Sequence, residues 1–419
     1  MSIEERPYSV SPDVLAVQET FNEMYDAHID SYYQMICSQP HEQTSLYISV
    51  TNRCNLNCEY CYDKKSQPPF QEPVDMTPEL VVSIFKQIKN PLYVFVLGGE
   101  PFLNPSAVEA VLDLCPSRVG ISTNGYIANE RIDQLLKKIV TRSREGRSGM
   151  LQFSCDLGGV SHKRHTEKEQ QIENTLMHFA DICGRHMKIK YTLTNEDIPS
   201  IEDISKWYWD RNLFIQYDYA DGAYGDGFPS DLSDENMNHV YHFILESLHA
   251  LFSQWLKNPD NLKIAIRAKV LVQHVFAGTI EQITNESPRL ASCNVLGHSY
   301  YIGPSGKLYP CHRFKNHRER YGNLGENVLE GIKQFHCDVT PVIRDYCRNC
   351  LYRGTCGSFC SAIIYGYGHR SVIGRCKFIG AERDAVLSFL LDEKIRFHPQ
   401  IDQFLSIIKK FSPFLTIKF

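Results

Sequence analysis

No apolar stretch in the 419 residues approaches the roughly 18 residues a membrane-spanning helix requires, so no span is expected. The opening MSIEERPYSV has neither a basic nor an apolar region, so no secretory signal is expected either. The net charge is −5 and no Lys/Arg-rich stripe alternates with aromatics, which argues against a nucleic-acid partner. Internal repeats and low-complexity tracts are also lacking. With 43% hydrophobic and 22% charged residues the composition is that of an ordinary globular protein. The length points to two or three units sharing a core.

Cysteine is abundant instead. Fifteen, an odd number, without an export signal argue for metal ligands in a reducing, cytoplasmic setting rather than for disulfides. Three lie at 54–61, and seven more are Cys293, Cys311, Cys347, Cys350, Cys356, Cys360 and Cys376. The scattered Cys37, Cys115, Cys155, Cys183 and Cys337 read as small buried hydrophobes.

From residue 45 to about 220, β-like runs alternate with helical patterns. The runs are SLYISV (45–50), YVFVLG (93–98), VGIST (119–123), LQFSCD (151–156), MKIKYTL (187–193) and FIQYDYA (214–220). Between them Val81, Ile84, Phe85 and Ile88 share one helical face, as do Ile132, Leu135, Leu136, Ile139 and Val140, and Ile172, Leu176, Phe179 and Cys183. Thr77-Pro78 and Asn104-Pro105 read as helix caps followed by a first-turn proline, and Thr166 with Glu169 fits a capping box. Six strand-then-helix repeats predict an α/β fold, a parallel sheet curled into a partial (β/α)6 barrel with its site at the C-terminal ends of the strands.

The flanking regions are read as a helical lead-in (1–44), the barrel (45–235), a helical connector (236–289), a cysteine-rich unit with little periodicity (290–380) and a helical tail (381–419).

Just after the first strand stands Cys54-Asn55-Leu56-Asn57-Cys58-Glu59-Tyr60-Cys61, a C-x3-C-x2-C array. Three thiolates in one loop can hold three irons of a cubane and leave the fourth open for chemistry. A zinc knuckle is the other reading, but it would want a fourth Cys or His nearby, and none follows within twenty residues.

The array resembles that of the radical S-adenosylmethionine (SAM) superfamily, and the likeness continues through Gly98-Gly99-Glu100-Pro101, Ser122-Thr123-Asn124-Gly125 and Ser154-Cys155-Asp156, each after a successive strand. The resemblance implies that Tyr60 packs beside the adenine, that Gly98 and Gly99 let the backbone approach the methionine end of SAM, and that Glu100 meets its amino group. Ser122 and Asn124 would stand near ribose and methionine carboxylate, with Ser154 and Asp156 in the fourth motif. The sequence departs from the family in the basic run His162-Lys163-Arg164-His165, whose register is shifted. Arg164 is the candidate for the SAM carboxylate.

The seven downstream cysteines, with Gly306 in register, resemble the SPASM extension of radical SAM enzymes that modify peptides and proteins. Two zinc sites are the alternative. The resemblance implies that Cys347, Cys350, Cys356 and Cys376 enclose one cluster, and that Cys293, Cys311 and Cys360 hold a second with an open iron or with Cys337 as fourth ligand. The cofactors would then be three [4Fe-4S] clusters and SAM.

Such an enzyme cleaves SAM to a 5′-deoxyadenosyl radical that abstracts a hydrogen atom, and auxiliary clusters favour a net oxidation. The expected function is peptide crosslinking, through a thioether or carbon–carbon bond. Formylglycine formation, small-molecule dehydrogenation and a non-catalytic electron carrier are the alternatives. Formylglycine-forming relatives carry Asp after the cysteine matching Cys311; here His312 stands there, a candidate base. Expected partners are a peptide or protein substrate, a reducing flavodoxin or ferredoxin, and a separate leader-binding protein unless the lead-in or the tail recognises a leader, because 44 residues are too few for a winged-helix unit.

Overall fold

The computed structural model describes residues 5–38, 45–61, 72–159, 169–220, 231–272, 279, 282, 299–314, 321–326, 328–356, 365 and 372–410. Strands β1 (Ser45–Ser49), β2 (Tyr93–Leu97), β3 (Arg118–Thr123), β4 (Gly149–Ser154), β5 (Met187–Leu193) and β6 (Ile215–Tyr219) are all parallel neighbours. After α1 (Pro12–Ser38), helices α2 (Pro78–Gln87), α3 (Pro105–Leu114), α4 (Glu130–Arg144), α5 (Glu169–Cys183) and α6 (Ile201–Asp210) connect the strands. Caps set their starts. Thr77 accepts the Leu80 amide, Asn129 the Ile132 amide and Asn104 the Ala107 amide, while the Asn104 side chain also donates to the carbonyls of Val50 and Met76. The expected Thr166 cap lies outside the described residues.

The two faces of the sheet differ. Leu46, Ile48, Val94, Val96, Ile121, Phe153 and Ile189 point toward the helices and are fully buried. The alternate positions Tyr47, Phe95, Ser122, Gln152, Ser154, Lys190, Thr192 and Asp218 are only half-buried and line the concave face. Near its base the lumen closes, where Lys188 donates to Gln216 at 2.8 Å and both are buried.

The connector holds α7 (Asp234–Lys257) and α8 (Leu262–Leu271). The sheet then continues into the cysteine-rich region: β7 (Ser299–Ile302) pairs in parallel with β1, and β8 (Lys307–Tyr309) and β9 (Gly322–Asn323) follow antiparallel. Among the described residues the strand order is β6-β5-β4-β3-β2-β1-β7-β8-β9. This region is also more periodic than expected. Ile332, Phe335, Val339 and Ile343 form the buried stripe of α9 (Leu329–Cys347). After the short α10 (Arg353–Cys356), α11 (Ile373–Leu391) is buried on nearly every side and runs across the expected boundary at 380/381, so the cysteine-rich segment and the tail share one helix. Helices α12 (Glu393–Arg396) and α13 (Ile401–Lys410) follow.

Helix α1 packs on α9, α10 and α11. Asn22 donates to the Leu351 carbonyl and accepts the Gly354 amide, and a Cβ at Gly354 would lie 2.1 Å from the Phe21 carbonyl oxygen. Among the described residues no helix is long and apolar enough to cross a membrane.

Candidate active site

The turn after β2 is built against the cysteine loop. The amide of Gly99 donates to the Thr51 carbonyl at 3.0 Å, and that of Glu100 to the Arg53 carbonyl at 2.7 Å. Gly98 sits at φ +148°, and a Cβ at Gly99 would lie 2.0 Å from the Arg53 oxygen. The two glycines therefore have a reason beyond approach to SAM: they let this turn lie on the backbone that leads into Cys54. Arg53 is itself pinned, its Nε and Nη2 donating to Asp75 at 3.0 and 2.6 Å.

Glu100 is 1% exposed and its carboxylate accepts three protein hydrogen bonds, from the Phe102 amide (3.1 Å), the Thr123 hydroxyl (2.8 Å) and the Asn124 amide (2.7 Å). Sequence reasoning assigned Glu100 to SAM alone and missed this brace. Asn124 extends the network, its Nδ2 donating to Asn55 at 2.8 Å and reaching the Cys54 sulfur at 3.8 Å. Gly125 adopts φ +74°, with a prospective Cβ 2.0 Å from the Phe153 ring. The Ser122 and Ser154 hydroxyls meet at 3.4 Å, and the half-buried Tyr60 donates its hydroxyl hydrogen to the buried Asp156. All four strand-end motifs thus gather at one rim, with Arg164 outside the described residues.

Cys54, Cys58 and Cys61 are partly accessible thiols in the first loop. Burial, with Glu100, Cys58 and Cys61 adding to it, pushes the Cys54 thiol up to about 11. Thiols crowded in this way ionise together only against a cationic centre, so the donor set fits an iron cluster. Among the described residues no three His, Cys, Asp or Glu side chains close in tightly enough to share a single metal ion. Around a cubane each thiolate holds a different iron, and the sulfurs stand farther apart.

A second thiol group forms where α9, α10 and α11 end or meet. The Cys376 thiol, fully buried, is pushed well up by burial and then by Cys356, Cys350 and Cys347. The four cysteines that the sequence expectation placed around one cluster thus include three whose charges act on the fourth. Cys311 is buried at the end of the β8 strand, while Cys293 and Cys360 lie outside the described residues. His312 packs 5.8 Å from the Tyr47 ring, and burial, with Arg313 and Arg375, pushes its imidazole down to about 3. Burial thus favours the neutral imidazole at this position.

The concave face carries a charge cluster that the strand pattern MKIKYTL concealed. Lys190 and Arg375 both reach Asp218 at 2.8 Å, and Glu382, two turns after Arg375 along α11, is buried beside them. Burial and then Asp218 push the Glu382 carboxyl up to about 8.

Residues 48–143 of the chain match the Radical SAM superfamily, a class that employs SAM and a [4Fe-4S] cluster. Its α/β fold with parallel strands and a C-terminal helical extension is the fold of that class. The chain is 24% identical over 359 residues to the radical SAM cyclopropyl synthase TigE of Paramaledivibacter caminithermalis, covering 78% of this chain and 69% of that protein. It is 33% identical over 98 residues to the GTP 3′,8-cyclase of Microcystis aeruginosa, covering 22% of this chain and 30% of the cyclase. The structure of native anSMEcpe with bound AdoMet and Cp18Cys peptide superposes with a TM-score of 0.59 over 87% of this chain and 99% of that one, at 14% identity, a likeness of fold.

Proposed function

We propose that this protein is a radical SAM peptide maturase of the SPASM type, which abstracts a hydrogen atom from a peptide side chain and closes a thioether or carbon–carbon crosslink. The observation that carries the reading is that Cys356, Cys350 and Cys347 all act on the buried Cys376 thiol, among helices beyond the radical SAM barrel. An enzyme needing only SAM cleavage has no use for such a group of thiols.

In this reading Cys54, Cys58 and Cys61 hold the first cluster, and Tyr60, Gly98, Gly99, Glu100, Ser122, Asn124, Ser154, Asp156 and Arg164 surround SAM. Cys347, Cys350, Cys356 and Cys376 enclose an auxiliary cluster; Cys293, Cys311 and Cys360 hold another. With SAM bound, a cluster held by Cys54, Cys58 and Cys61 would supply the chemistry for abstracting an unactivated hydrogen atom. Glu100 and Asn124 keep the rim turns in register with the cysteine loop. The half-buried side chains of the concave face would line the place where the oxidised segment lies.

Support for a peptide substrate comes from the shared fold of anSMEcpe, whose structure holds a peptide, and support for bond closure from TigE, named for forming a cyclopropyl ring. The likeness to the GTP 3′,8-cyclase of Synechocystis extends over 205 residues, 46% of this chain, against 359 residues for TigE, and favours a small-molecule substrate less. His312, where formylglycine-forming relatives have Asp, favours crosslinking over that oxidation.

The test is anaerobic reconstitution with iron counting and a SAM-cleavage assay, then mass spectrometry of a short peptide encoded beside the gene. About twelve irons, 5′-deoxyadenosine formation that C54A/C58A/C61A abolishes, and a peptide lighter by two hydrogens are expected. Bound zinc, or wild-type protein that leaves SAM intact, would overturn the reading.

A further inference from the structure

The charges on the concave face do not balance. Lys190 and Arg375 each reach Asp218 at 2.8 Å, so two cations share one carboxylate. Deeper on the same face Lys188 adds an amine and no anion, because it donates to the Gln216 side chain at 2.8 Å. Glu382 is buried, and among the described residues no ion pair joins it to Lys190 or Arg375; burial also favours its protonated form. The rim carboxylates are held elsewhere, Glu100 by three donors and Asp156 by the Tyr60 hydroxyl. A largely desolvated cation left over in this way calls for an anion.

The cluster is also reachable. The side chains of Lys190 and Asp218 keep 16% of their surface accessible and that of Arg375 keeps 11%. Strand alternation turns Lys190, Thr192 and Asp218 to the lumen, and register sets Lys190 opposite Ser154 and Thr192 opposite Asp218. Ser154 belongs to the fourth rim motif, so a group held at Lys190 lies beside the expected SAM site. Toward the other end of the sheet the lumen side chains Tyr47, Phe95, Ser122 and Gln152 carry no charge, which concentrates any charge preference at β5 and β6.

Resting on the reading above, we propose that Lys190, with Arg375 and Asp218, is a specificity site of the lumen and docks a carboxylate of the peptide substrate, from an acidic side chain or a free C-terminus. Asp218 holds both cations in place, and the arriving carboxylate takes up the charge that Asp218 leaves over. Burial opposes the charge on Lys190, and a bound carboxylate offsets that cost, so a neutral or basic segment binds less well.

The experiment is affinity selection, read by mass spectrometry, of a synthetic acetylated peptide library on the reconstituted full chain with SAM. Library members carry Glu, Gln or Lys at one position, and each is made with a free and with an amidated C-terminus. Wild-type protein is expected to retain members bearing a carboxylate about tenfold over neutral ones, and the Glu-amide and Gln-acid arms tell a side-chain carboxylate from a terminal one. Lys190→Gln is expected to lose that preference and Lys190→Arg to keep it. Equal retention of acidic and neutral members by wild type, or an undiminished preference in K190Q, would overturn the proposal. Should K190Q fail to fold, Thr192→Asp decides it: a carboxylate built in opposite Asp218 is expected to cancel the preference, and its persistence overturns the proposal. Weaker SAM binding by K190Q in the absence of peptide would assign the cluster to the SAM carboxylate and overturn it too. SAM cleavage is measured on the same samples. Cleavage with no carboxylate preference sinks this proposal alone, whereas SAM left intact sinks the maturase reading.

Discussion

Glu100 reaches from the end of β2 to accept the backbone N–H of Asn124, after β3, at 2.7 Å, so one buried carboxylate ties two of the four rim turns together. In Glu100→Gln one oxygen becomes an amide nitrogen facing a donor. A loss of about 2–3 kcal/mol is expected, read as a lower melting temperature, together with weaker SAM binding by calorimetry. Wild-type melting in E100Q would show that the carboxylate is no brace.

Gly99→Ala places a methyl carbon 2.0 Å from the Arg53 carbonyl oxygen, a backbone atom that cannot swing aside. The cysteine loop must shift. The reconstituted variant is expected to lose about four irons and SAM cleavage while keeping its far-ultraviolet circular dichroism. Full iron content in G99A would contradict the close packing of the two turns.

Asp218→Asn removes the anion shared by Lys190 and Arg375, whose side chains are largely buried. The cost is expected to be on the order of 2–4 kcal/mol, seen as a lower urea midpoint, and adding Lys190→Met should restore part of it. A double variant less stable than D218N would mean that Lys190 packs for other reasons.

Stability should depend on pH with a minimum near neutrality. Burial pushes Lys188 and Lys269 down to about 7, so from there to about 10.4 the unfolded chain holds protons that the folded one has released, and stability rises with pH. Glu382, pushed up to about 8, acts oppositely: the folded chain holds its proton between about 4.5 and 8, and that contribution is lost as pH rises through 8. Lys188→Met is expected to raise the melting temperature at pH 7 and flatten the alkaline limb. Glu382→Gln should flatten the acid limb. Melting curves from pH 5 to 10 check both signs.

Strands were legible because parallel strands buried under helices are written in long apolar and β-branched runs: MKIKYTL coincides with β5, and the other five agree to within two residues. The same rule hid the lumen, since Lys188, Lys190 and Asp218 look like ordinary alternating strand residues until the sheet curls and turns them inward. The β7–β9 strands escaped notice because two to four residues carry no period, and their pairing with β1 is a long-range choice. Helix α9 could have been found from the spacing of Ile332, Phe335, Val339 and Ile343, which the cysteine count overshadowed. Spacing located the cysteines, but which of them come close enough to act on Cys376 depends on three helices meeting.

The ladder between β1 and β7 has a mechanical meaning. β1 leads into Cys54 and the β8 end into Cys311, and an unbroken run of backbone hydrogen bonds joins the two. A hinge between barrel and cysteine-rich region would have to break that ladder, so the separation of these two thiols behaves as a fixed strut. The sheet thus acts as a frame of constant span between the barrel and the segment that leads to Cys311.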